Sequence, residues 1–162
     1  MLKANFWLGH IKVTQSNAIL RYLGRKFDLD GKTEEDRVQV DIMLDNAMDL
    51  RNMFVGLCYN PDFDKLKVDY LKKLEGVLAR FSKYLGNRPF FAANYLTFPD
   101  FHMYEMLYGH YHLNWQVFNK FPNLVLFVER FEKLPRIAEF LKSDKSPPTM
   151  NLKMAKFGNA RL

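Results

Sequence analysis

From Thr33 onward the apolar residues of this chain fall into helical spacing and keep it through two long stretches divided only by Asn60-Pro61. Val40, Met43, Leu44, Ala47, Met48, Leu50, Phe54, Leu57 and Cys58 line the first stretch, and Phe63, Leu66, Tyr70, Leu74, Val77, Leu78, Phe81 and Leu85 the second. So short a connection forces two long antiparallel helices. Thr33-Glu34-Glu35-Asp36 opens the first with a capping-box pattern and acidic residues that suit the helix dipole. Thr97-Phe98-Pro99-Asp100 repeats that signal, with Thr97 as cap and Asp100 reaching back to its amide, ahead of Phe101, Tyr104, Leu107, Tyr108 and Tyr111. Shorter helices are expected around Leu124 to Phe131 and, after Pro135, around Ile137 to Leu141. In front of this all-α body, Asn5 to Leu8 and Ile11 to Thr14 flank Gly9-His10 as a hairpin, and a helix follows Gln15-Ser16-Asn17 and ends at Asp28 to Gly31.

Composition narrows the function classes. A chain of 162 residues buries roughly 70% of its unfolded surface, enough for a core without staples. Its aromatic share of 15% argues against disorder. Cys58 is the single cysteine, which excludes an internal disulfide and a cysteine-rich zinc site and fits a reducing, cytoplasmic setting. No apolar run is long enough for a membrane span, and the N-terminus lacks the pattern of a signal peptide. The net charge of +6 is concentrated from Lys133 onward, where seven Lys or Arg face only Glu139 and Asp144. That tail has no run of adjacent basic residues and no base-stacking motif, so neither nucleic acid nor membrane is expected as a partner.

Few residues offer chemistry. His110 and His112 are two apart, which on a helix points them to different faces and away from a shared metal; they are expected as surface or interface imidazoles, with no metal site. Cys58 falls at the C-terminal end of a long helix, where the dipole disfavours a thiolate, and is expected as a packing residue. Asp41, Asp45 and Asp49 share one helix face, the usual pattern of solvated charge. The Gln15-Ser16 step is different: a strand running into a helix start gathers free amides and the positive dipole end at one spot suited to a carboxylate or phosphate. Ser16 there either caps its helix or holds a ligand, and capping is the commoner role.

Several segments together resemble the mu class of cytosolic glutathione transferases. They are Lys12-Val13-Thr14-Gln15-Ser16-Asn17-Ala18-Ile19-Leu20-Arg21-Tyr22, Val40-Asp41-Ile42, Cys58-Tyr59-Asn60-Pro61-Asp62-Phe63, Thr97-Phe98-Pro99-Asp100-Phe101, Phe121-Pro122-Asn123-Leu124 and the stretch from Lys153 to Asn159. The resemblance implies a mainly α fold: a transferase C-terminal-type helical bundle preceded by the remnant hairpin and helix of a thioredoxin-like domain. Residues 1–31 would be that glutathione-binding remnant, 32–143 the all-α C-terminal domain, and 144–162 an irregular basic tail. Glutathione is implied as co-substrate without a further cofactor, with small hydrophobic electrophiles as its reaction partners and a homodimer as the family's assembly. Carried over by position, Gln15 and Ser16 hold the γ-glutamyl end of glutathione, Asp49 reaches the γ-glutamyl amine from the neighbouring subunit, and Tyr59 and Met48 border the electrophile.

The pattern also departs from the family. The tyrosine that stabilises the glutathione thiolate has no counterpart here, so no residue takes the catalytic role and the chain is expected to be a shortened form, weakly active or inactive. Ala4 stands where the family has a cis-proline, and Asn52 and Asn151 stand at apolar or aromatic wall positions. A thiol with its ordinary pKa is only a few per cent ionised at neutral pH, so a transferase without a donor to the thiolate loses most of its advantage. The alternative expectation is a non-catalytic helical module that binds a ligand or a protein.

Overall fold

A computed structural model of the chain describes residues 5–160. Ala4, at the expected cis-proline position, lies outside the described residues. Strands β1 (Asn5–Leu8) and β2 (Ile11–Thr14) form an antiparallel hairpin in which Phe6 faces Val13 and Trp7 faces Lys12. Gly9 takes the turn with φ +59, a conformation that costs glycine little. Helix α1 (Ser16–Lys26) follows directly. Then come the two long helices α2 (Glu34–Cys58) and α3 (Phe63–Leu85), as the spacing of their apolar faces requires. Helix α4 (Phe98–Leu113), a 3-10 helix (Trp115–Lys120), α5 (Pro122–Glu132) and α6 (Pro135–Lys142) complete a mainly α fold.

Helix α4 is the centre of the body: α2, α5, the 3-10 helix and α1 all pack on it, while α3 closes the far side against α2 and α5. Its sequence is apolar almost all round, the signature of a helix covered on several sides. Leu44, Phe54, Leu74, Leu78, Phe91, Met103, Leu107, Phe127 and Phe131 are fully buried at these contacts. Each such side chain contributes about 1.5 to 3 kcal/mol over an exposed one.

Both expected capping signals are present. At α2 the Thr33 hydroxyl accepts the Asp36 amide and the Asp36 carboxylate accepts the Thr33 amide, each at 3.1 Å. At α4 the Asp100 carboxylate accepts the Thr97 amide at 2.9 Å and the Thr97 hydroxyl at 2.8 Å, and also the Phe91 amide at 2.9 Å. Thr97 and Asp100 are wholly buried, so this cap ties the loop between α3 and α4 into the core.

The front segment is held by a few contacts. Gly24 of α1 lies under the Phe98 ring so closely that an added Cβ would stand 2.3 Å from a ring carbon. The Phe98 amide donates to the Leu29 carbonyl at 2.9 Å, and Leu29 in turn donates to Gly24 at 2.8 Å. On the other flank Arg21 bridges Asp41 at 3.0 Å and Asp45 at 3.3 Å.

After α6, residues 144–160 form neither helix nor strand, yet they are fixed. The Lys156 amide donates to the Cys58 carbonyl at the end of α2, the Asn151 amide donates to Gly158, and the Asn151 side chain donates to the Phe157 carbonyl. Gly109 of α4 makes room for Met150, whose sulfur would stand 2.6 Å from a Cβ there. Among the described residues no helix is long and apolar enough to cross a membrane.

Candidate functional site

At the junction of β2 and α1 the structure corrects the capping role offered to Ser16. Gln15, not Ser16, occupies the cap position, and no side chain caps the helix. Ser16 is already helical, so its hydroxyl cannot lie in front of the first turn where a cap must sit. The Gln15 carbonyl receives the Ile19 amide at 3.0 Å, which leaves the amides ahead of Ile19 without intrahelical partners. Gln15 itself has φ 71 and ψ 123. A non-glycine residue in that region is strained by about 1 to 3 kcal/mol, and such strain gathers at ligand sites. Both Gln15 and Ser16 are exposed. The junction therefore presents free amides, a hydroxyl and the positive end of an 11-residue helix to solvent, a combination suited to a carboxylate. Nothing in the residue types announces the strain, because glutamine carries no marker for a positive φ.

The acidic stripe on α2 divides. Asp41 and Asp45 are taken by Arg21, a bridge sequence reasoning missed because its partners are on different helices. Asp49, one turn further on, is exposed and makes no hydrogen bond or ion pair among the described residues. It opens instead on a cleft of about 410 Å³ between α2 and α3, whose walls include Ile42, Leu50, Met53, Phe81 and Arg80. No contact among the described residues joins Asp49 to Gln15 or Ser16, so the two parts of the expected site are not assembled within one chain.

Met48 and Tyr59 share a side of α2. Eleven residues make about three turns, which places them on one face roughly 16 Å apart along the axis. Both are half-buried. The Tyr59 hydroxyl accepts the Leu152 amide at 3.0 Å. The C-terminal segment thus reaches back to the end of α2 at two points, Tyr59 and Cys58, and Asn151 serves that clamp. The thiol of Cys58 is fully buried, and burial pushes it up to about 11 although Asn151 pulls the other way. Such a thiol is a packing group and not a nucleophile.

The histidines need a correction. His110 is fully buried in the core, which corrects its expected place as a surface or interface imidazole, and His102 is nearly so. The His110 Nδ1 lies 2.6 Å from the Met106 carbonyl, which only accepts, so Nδ1 donates and Nε2 takes the Tyr70 hydroxyl proton at 2.6 Å. Burial lowers His110 to about 4 and His102 likewise, which keeps both rings neutral. The Tyr70 hydroxyl satisfies the buried imidazole, and that pairing across α3 and α4 has no local sequence signal. His112, on the opposite face of α4, is exposed.

Comparison with known proteins agrees with this architecture. Residues 48–144 match the family described as glutathione S-transferase, C-terminal domain. Over 152 residues, 93% of this chain, the sequence is 47% identical to glutathione S-transferase Mu 7 of Rattus norvegicus and 43% identical to glutathione S-transferase Mu 4 of Homo sapiens. In each case the match covers 70% of the relative. Among solved structures, the glutathione S-transferase Blo t 8 superposes with a TM-score of 0.84 at 26% identity, over 95% of this chain and 74% of that one. The pi-class glutathione S-transferase of Onchocerca volvulus superposes with a TM-score of 0.82 at 29% identity, over 91% of this chain and 73% of that one. With the helical body, the strained Gln15-Ser16 junction and relatives of this identity all agreeing, the chain belongs to the glutathione S-transferase family, and within it to the mu class.

Proposed function

We propose that this chain binds glutathione at the Gln15-Ser16 junction and serves the conjugation of its thiol to small hydrophobic electrophiles. The observation that carries this is the uncapped start of α1 with Gln15 held at positive φ. The backbone amide there and the Ser16 hydroxyl hold the γ-glutamyl carboxylate, and the helix dipole adds to the attraction. Asp49, free of partners within its own chain among the described residues, reaches the γ-glutamyl amine of glutathione bound to a second copy. Met48 and Tyr59 border the electrophile, with Tyr59 set in place by the Leu152 amide.

Thiolate activation is the weak link. Five of the eight tyrosines have hydroxyls engaged elsewhere: Tyr59 with Leu152, Tyr70 with His110, Tyr84 with Gln39, Tyr95 with Asp36, and Tyr104 with Glu132. Cys58 is buried as well, so none of these groups is free to stabilise a thiolate bound at Gln15-Ser16, and on this reading turnover is slow. In this reading residues 1–31 are the glutathione-binding part, 32–143 the helical domain and 144–162 the tail, and the protein works in the cytoplasm.

Calorimetry with glutathione and turnover of chlorodinitrobenzene test this together. Weak, saturable heat is expected, with a Kd that rises about tenfold in Ser16→Ala, as for loss of one charge-assisted hydrogen bond. Conjugation should stay far below that of the mu-class relatives; brisk turnover by pure protein contradicts the slow-activation part. No heat with glutathione, but binding of an apolar dye in the α2–α3 cleft, favours a non-catalytic ligand-holding module instead.

A further inference from the structure

Helices α4 and α5 and the 3-10 helix enclose a second cleft, of about 230 Å³, that shares no lining residue with the cleft at Asp49. Its α4 wall carries Tyr108, Tyr111 and His112, its α5 wall carries Glu129 and Glu132, and Phe118 closes its base. The rings are set at angles to one another. Tyr108 and His112 have centroids 4.3 Å apart with planes tilted 53°, and Tyr111 meets Phe118 edge to face at 5.5 Å. Tyr108, Tyr111 and His112 thus give the cleft an aromatic wall whose rings are not coplanar. Opposite them, Glu132 accepts the Tyr104 hydroxyl at 3.1 Å, and Glu129 lies 3.6 Å from Lys133 on a largely exposed pair. Two carboxylates against one solvated ammonium leave the cleft net negative.

Aromatic faces together with a negative rim recognise one kind of small ligand, a cation with low hydration whose surface is partly apolar. Among the described residues every lysine or arginine that sits over a ring does so elsewhere, on Trp7, Phe27, Phe63, Tyr84 and Tyr95, so these faces have no internal cation. A metal ion fits less well, since no group of three ligating side chains converges among the described residues. We propose that the α4–α5 cleft is a binding site for a methylated ammonium group, independent of the transferase site. The head group enters between Tyr108 and Tyr111, with Glu129 and Glu132 balancing its charge and Phe118 meeting its methyl surface.

Choline and its neutral isostere, 3,3-dimethylbutan-1-ol, separate charge from shape in one titration followed by NMR of the tyrosine and histidine rings. Saturable shifts of the Tyr108, Tyr111 and His112 signals with choline, at least about fivefold tighter than with the alcohol, are expected. Glu129→Gln, a surface change that leaves the core untouched, should weaken choline about threefold to tenfold, and Tyr108→Leu more. A further arm sediments the protein with phosphatidylcholine vesicles. Co-sedimentation that free choline reverses names a lipid head group as the source, and its absence alongside choline binding names the free cation; both support the site. Equal affinity for the alcohol, choline binding unchanged in Glu129→Gln and Tyr108→Leu, or no ring shifts at all overturns it.

Discussion

The residues ahead of Thr33 and those behind it hold together by different means. Behind Thr33, helices α2 to α5 and the 3-10 helix share a core in which whole leucine, methionine and phenylalanine side chains are shut from water. Ahead of it, Gly24 is the only fully buried residue of α1, Trp7 and Phe27 are mostly exposed, and the two-stranded hairpin pairs with nothing further among the described residues. An isolated hairpin is marginal in water. The helical body carries its own core, while the segment bearing the proposed glutathione contacts borrows its order from Phe98, which meets Gly24 and Leu29, and from the Asp41 and Asp45 partners of Arg21. Part of a binding site can be mounted on a scaffold without belonging to its core.

The strongest way to break this contrast is to damage the body. Asp100→Ala strands the buried Phe91 and Thr97 amides and should cost about 3 kcal/mol or more, lowering the melting temperature by roughly 10 °C. A melt within a degree or so of the parent means the cap is not where the stability of the body lies. Next comes acid. His110 is neutral and lowered to about 4, against about 6.5 in an unfolded chain. The unfolded state therefore binds the extra proton between those values, so this stability is complete above about pH 6.5 and is lost as the pH falls toward 4. Urea unfolding should show a loss of order 2 to 3 kcal/mol across that window from His110, with His102 acting in the same direction. A stability flat from pH 7 to 4.5 refutes it. The smallest global effect belongs to Gly24→Ala, which drives a methyl into the Phe98 ring and should cost about 1 to 2 kcal/mol of docking. Hydrogen exchange of α1 and the hairpin should quicken while the body melts almost unchanged. A cooperative drop of the whole transition would show that the two regions fold as one.

The boundary between what the sequence discloses and what it hides follows from range. Helix starts at Thr33 and Thr97 are legible because a capping box is written within four residues, and the α2–α3 hairpin because Asn60-Pro61 interrupts an unbroken apolar face. The Gln15-Ser16 junction is visible as a strand running into a helix, but its cap was misplaced by one residue, since a positive φ at glutamine is imposed by the fold and not by the side chain. The burial of His110 is hidden because the Tyr70 hydroxyl that satisfies it lies forty residues away in sequence. The tail has no periodicity to read, and only the folded chain shows Leu152 and Lys156 meeting the end of α2. Of the expected site, Met48 and Tyr59 fall on one face as a helix requires, whereas the link proposed from Asp49 to glutathione would run to a second molecule and so has no trace within a single chain.

The clamp of the tail on Tyr59 and Cys58 also sets an order of events during synthesis. Leu152 and Lys156 leave the ribosome after every helix has emerged, so the wall beside Tyr59 is finished last. Until then the nascent protein carries a nearly formed bundle whose longest helix lacks these two contacts, and an arrest late in translation would hold packed helices with the Tyr59 hydroxyl and the Cys58 carbonyl not yet met by the tail.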